Sequence, residues 1–252
     1  MKHLLTTVFA AGLMALASAA ADETKTPEKP DWIKSHHGDA DRLGAMNFLS
    51  AEKTAAAAKL ITTGKTYALG MVTGRNSAAY GPREYDVTIL QLSDGSGTPL
   101  GDNKATGNDD IVRTYVGIGS QIDGLGHMGI DHHYYNGVHV REFVKTDGLT
   151  QFGTEKLPPV ATRGILLDMT KLVKESPVPD GVAFNKKEIE QALGMANITL
   201  EKGDVVLFHT GKMTATEGKP FSPLSPGLGV EGAQYLADQG VVAVGADSWA
   251  LE

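Results

Sequence analysis

From Gly164 onward, short apolar runs alternate with helical stretches, and this alternation restricts the possible folds more than any other feature. Gly164 to Met169 and Asp204 to His209 read as buried strands. Lys186 to Met195 reads as a helix, with Asn185 and Glu188 spaced for a reciprocal cap. A further helix is expected from Val230 to Gln239, stopped by Gly240, and Val241 to Ala246 reads as a last buried strand. The first half is richer in strands: Thr66 to Thr73, Tyr85 to Ser93 and Ile111 to Ile122 are β-branched or aromatic and bounded by Gly, Pro or Asp. One early helix is expected, capped by Ser50 and running through Ile61. Asp94 to Asp110 is a long polar stretch of the kind that covers sites. The expected fold class is α/β, a mixed, sheet-rich core with helices packed outside.

The first residues carry an address. Lys2 and His3 precede the apolar stretch Leu4 to Leu16, and Ala17-Ser18-Ala19 offers a small-residue cleavage site. Residues 1–21 therefore read as a secretory signal peptide, and the run is too short for a membrane anchor, which needs about 18 to 20 apolar residues. Residues 22–31 are a polar, Pro-rich leader, and 32–252 form a single domain in the periplasm or outside the cell. Of the 252 residues 41% are hydrophobic, enough for one large core. A net charge of -7 gives no basic footprint for nucleic acid or for anionic membranes, which leaves a small molecule as the expected partner. The absence of Cys agrees with export.

Tyr115 to His127 is the stretch richest in chemistry. If it is a strand, Val116, Ile118 and Ile122 share a core face, while Gly117, Gly119, Gln121 and Asp123 share the other. Two glycines there leave open space into which two oxygen-bearing side chains point. Gly124-Leu125-Gly126 then permits a reversal that folds His127 back towards Asp123. A carboxylate and an imidazole over an open floor can bind a divalent metal, whose water becomes a nucleophile near neutral pH. Taken alone, one Asp and one His are more often structural or solvated, and two ligands are few for a tight site. His132, His133 and His139 flank a Tyr134-Tyr135-Asn136-Gly137 turn, and at most one of the adjacent pair can face a metal. His36 and His37, near the N-terminus, read as solvated. Arg163 could hold a substrate carboxylate or form an ion pair with Asp168 or Asp247. His209 ends a strand before a loop able to line a pocket, Arg83 reads as surface, and Trp249 as core or ligand-stacking.

Gly119-Ser120-Gln121-Ile122-Asp123-Gly124-Leu125-Gly126-His127 resembles the site motif of the metal-dependent cyclase family, commonly written His-x-Gly-Thr-His-x-Asp-x-Pro-x-His. This family includes bacterial kynurenine formamidase and isatin hydrolase. Asp41 to Leu49, Tyr134 to Gly137, Thr162 to Asp168, Gly203 to Gly211 and Gly245 to Ser248 resemble its other blocks, in its order. The resemblance implies a β/β/α swivelling fold, often a homo-oligomer, with a divalent metal, zinc or manganese. It implies hydrolysis of a formamide or cyclic amide, with Asp123 and Gln121 at the metal and His127 a ligand or general base. His133, Tyr135, Arg163 and His209 are candidates for the substrate pocket. Two family histidines fall on Gly117 and Gln121, so a two-metal site is not expected. Relatives continue past the Gly-Ala-Asp-Ser block with a further strand and helix bearing a His and a Glu, and this sequence reads as lacking that segment. The rival readings are a non-catalytic periplasmic binding protein on the same fold, and a cyclase or dehydratase of secondary metabolism.

Overall fold

Ser50 accepts a hydrogen bond from the Lys53 backbone N–H at 3.2 Å and starts α1 (Ala51–Ala58), which ends short of the expected Ile61. The computed structural model describes residues 34–91, 97, 99–213 and 224–251, so the expected signal peptide and leader lie outside the described residues. After α1 come β1 (Tyr85–Gln91) and β2 (Asn108–Thr114), an antiparallel ribbon with Val87 opposite Val112. The polar stretch between them ends at β2, two residues before the expected Asp110. Then follow α2 (Val140–Phe143) and the short hairpin β3 (Val144–Lys145) with β4 (Gly148–Leu149). The second half runs β5 (Gly164–Asp168), α3 (Met169–Val173), β6 (Ala183–Phe184), α4 (Lys186–Ala196), β7 (Val205–His209), β8 (Gly227–Leu228), α5 (Val230–Asp238) and β9 (Ala243–Ala246). Among the described residues no helix is long and apolar enough to cross a membrane.

The alternation in the second half becomes a parallel sheet in the order β5-β7-β9. Side chains alternate across it. Ile165, Leu167, Val206 and Phe208 point to one face, where Ile189 and Leu193 of α4, Met169 of α3 and Leu236 of α5 cover them. Each such fully buried side chain contributes about 1.5–3 kcal/mol, so this cluster dominates the stability of the fold. The opposite face is open, and Leu166 on it is 63% exposed. The mixed α/β class expected from the alternation is what forms. α4 shows why local signals served here: the Glu188 carboxylate accepts from the Asn185 N–H at 3.0 Å, and Ile189, Ala192 and Leu193 line one buried stripe.

Two expected strands differ. Thr66 to Thr73 is irregular, and the third strand ends at Thr114, not Ile122. β-branched residues stay in a strand only where another strand pairs with them, and beyond Thr114 the chain turns, with the Ile118 N–H donating to the Tyr115 carbonyl at 3.1 Å. The expected core face is therefore split: Ile118 is 7% exposed, whereas Val116 is 86% and Ile122 56% exposed.

A second, smaller core of Val138, Phe143 and Phe152 sits beneath the turn that follows. Tyr135 and Asn136 buckle the N-terminal segment onto it. The fully buried Asn136 amide accepts from Ser35 N–H at 3.0 Å and donates to the Gly38 carbonyl at 2.8 Å. The Tyr135 hydroxyl donates to Asp41 Oδ2 at 2.6 Å. Burial acts to raise the Asp41 pKa, but hydrogen bonds from Tyr135, Asn47, the Leu43 N–H and Ser35 outweigh it and hold the carboxyl well below the usual range. Burial, together with the bond to Asp41, pushes Tyr135 up to about 12. A depressed acid stabilises above its ordinary pKa and loses that contribution as pH falls. A raised phenol stabilises below its ordinary pKa and loses it as pH rises. Tyr135→Phe is therefore expected to cost about 1–3 kcal/mol near neutrality. In denaturant titrations that difference shrinks below about pH 4 and above about pH 10, and a pH-independent difference would contradict the assignment.

Candidate active site

The turn after β2 brings the predicted centre together. Arg83, Gly117, Gln121, Asp123, His127 and Glu155 are among the residues lining an open cleft of about 640 Å³. The Gln121 amide nitrogen donates to both Asp123 oxygens, each at 3.1 Å. His127 Nε2 stands 3.9 Å from Asp123 Oδ2, beyond hydrogen-bond reach but close enough for both groups to address one small species between them. A hydrogen bond from the His127 backbone N–H to the Gly124 carbonyl at 3.0 Å closes the reversal. Gly126 makes this reversal possible, because a Cβ there would meet Leu149 at 3.0 Å and Phe152 at 3.1 Å. The smaller core thus fixes where His127 can go.

Glycine at 117 matters for a different reason. A Cβ at this position would lie 2.9 Å from Arg83 Nη1 and 3.0 Å from Gln121 Oε1. The absent side chain is what admits the Arg83 guanidinium beside Gln121. Arg83 was expected at the surface and is instead half-buried in the cleft wall. Asp147 and Glu155 also line the cleft and carried no sequence signal, since each stands alone among loop residues.

The four pocket candidates lie elsewhere. Tyr135 is bound to Asp41, as above. His133 is buried, with Nδ1 2.8 Å from the Asp131 carbonyl and its ring edge-on to His139. Arg163 grips Asp204 through Nε (3.0 Å) and Nη2 (2.7 Å) and pairs with Glu201 at 3.1 Å, so its partner is neither Asp168 nor Asp247. His209 and Asp168 face each other on the open side of the sheet, and His209 Nδ1 lies 2.8 Å from Asp247 Oδ2. None of the four lines the cleft. Trp249 stacks on Tyr80 with ring centroids 4.2 Å apart, which anchors the segment that carries Arg83.

The family model described as "Putative cyclase" matches residues 67–252, from before the ribbon through the cleft to the last strand. The chain belongs to the cyclase family. This cyclase-family chain is similar to the crystal structure of a novel cyclase, with a TM-score of 0.76 and 27% identity, covering 86% of this chain and 77% of that one. It also matches a potential metal-dependent hydrolase with cyclase activity (TM-score 0.44, 21% identity, 75% and 71% covered). A third match is isatin hydrolase bound to the product analogue thioisatinate (TM-score 0.48, 15% identity, 81% and 76% covered). No curated protein matches the sequence.

Proposed function

We propose that this cyclase-family protein hydrolyses a small amide, a formamide or cyclic amide, in the cleft at Asp123 and His127, with one divalent metal ion. The observation that carries the reading is the convergence of Gln121, Asp123 and His127 in one open cleft. Among the described residues, no three of His, Cys, Asp and Glu come together as a metal cluster. The donor set is therefore the Asp123 carboxylate and the Gln121 amide, whose oxygen and nitrogen exchange places by rotation of the terminal group, and the His127 imidazole beside them is left free for proton transfer. Oxygen donors of this kind suit manganese or zinc, with positions left open for water and substrate.

Asp123 and Gln121 would hold the ion. A bound divalent ion supplies Lewis acidity towards the carbonyl and lowers the pKa of water. His127 takes a proton from the attacking water and returns it to the leaving nitrogen, which its half-exposed ring can do from the cleft edge. The Gly124 to Gly126 reversal holds that ring in place.

An aryl formamide and an N-aryl lactam, assayed with and without a chelator, test the reading. The expected products are the amine and the carboxylic acid from the first and the amino acid from the second, with turnover lost on chelation and restored by zinc or manganese. Ligand binding that persists under chelation without turnover would instead support a non-catalytic binding protein, a reading favoured by the small donor set. Products formed by loss of water would point to a cyclase or dehydratase.

A further inference from the structure

Arg83 is a cation placed in the cleft wall, and among the described residues no carboxylate holds it. Its Nη1 reaches the Gly117 carbonyl only at 3.5 Å, at the limit of a hydrogen bond. Among the described residues it makes no ion pair, although Asp123, Asp147 and Glu155 line the same cleft. The contrast with Arg163, which closes on Asp204 through two hydrogen bonds, is direct. Three features hold Arg83 in position. The Tyr115 N–H donates to the Glu84 carbonyl at 3.2 Å and fixes the neighbouring residue against the turn. Three residues upstream, the Tyr80 ring stacks on Trp249 and ties down the same segment. The missing side chain of Gly117 leaves the space the guanidinium fills, next to Gln121. A guanidinium is always charged and offers a planar fork that matches a carboxylate.

We propose that Arg83 selects substrates bearing a carboxylate, by binding that group in the cleft while the amide lies at Asp123 and His127. The proposal rests on the amide-hydrolase reading and narrows it to anionic amides. Arg83 is a specificity residue here, and no bond to it forms or breaks. Gly117 belongs to the same device, because any larger residue there displaces the guanidinium.

The test compares an aryl formamide carrying a ring carboxylate with the same formamide lacking it, for wild type, Arg83→Gln and Arg83→Lys. Wild type is expected to favour the carboxylate-bearing compound in kcat/KM. Arg83→Gln is expected to reduce that preference by about tenfold to a hundredfold, mostly through KM, and Arg83→Lys to restore part of it. An unchanged preference in Arg83→Gln overturns the proposal. Equal losses for both compounds, with weaker inhibition by the carboxylate product, overturn it too, since Arg83 would then hold only the product. Benzoate binding, followed by calorimetry at two salt concentrations, gives a readout that needs no turnover. A wild type that turns over neither compound sinks the hydrolase reading. Benzoate affinity that falls in Arg83→Gln would still support the anion site, and affinity that does not change would remove it.

Discussion

Replacing His127 with Ala is expected to lower kcat/KM about 10²- to 10⁴-fold while leaving the fold and the metal content intact. The imidazole is half-exposed, and among the described residues its ring makes no hydrogen bond, so removing it strands no buried partner there. What holds the turn is the backbone bond to Gly124 and the packing around Gly126, and both survive the change. The unfolding free energy should therefore stay within about 0.5 kcal/mol of wild type. A variant that keeps wild-type turnover would remove His127 from the mechanism, and one that loses metal along with activity would make it a ligand instead.

The second large effect is structural. Asp204 is fully buried, and its charge is matched by two hydrogen bonds from Arg163 and one from the Glu201 N–H at 2.7 Å. Arg163→Met leaves that carboxylate buried without its counter-charge, which is expected to cost about 3–5 kcal/mol. Urea titration measures it. The double variant Arg163→Met with Asp204→Leu should recover much of the loss, since it removes the stranded charge with its partner. A single-variant loss below about 1 kcal/mol would show that Arg163 is not the structural clamp its geometry describes.

These two residues show what could be read from the chain before its fold was known. His127 was legible because Gly-Leu-Gly reverses the backbone locally, so Asp123 and His127 meet through sequence-near contacts. β5, β7, β9, α4 and α5 were legible because every second residue of the strands, or one stripe of the helices, meets a single core. Arg163 was harder. Its partner Asp204 lies 41 residues away, and the sequence points to Asp168 or Asp247 instead. The strand reading of Val116, Ile118 and Ile122 failed because no neighbouring strand extends past Thr114 to pair with them. The same convergence on Gln121 and Asp123 nevertheless formed, through turns instead of a pleat. Arg83 could not be found from its own surroundings, since Gly-Pro-Arg reads as an exposed corner. The signal for it is the glycine at 117: what looks like open floor in the sequence is the space that another segment fills.

The proposed hydrolysis depends on Asp123 anchoring a divalent metal in the cleft. The most direct measurement is the metal content of the purified protein, by elemental analysis, for wild type and Asp123→Ala at matched concentration. The expected result is about one divalent ion per chain in wild type and a loss of most of it in the variant. A wild type without metal, or stoichiometric metal untouched by Asp123→Ala, would contradict the account.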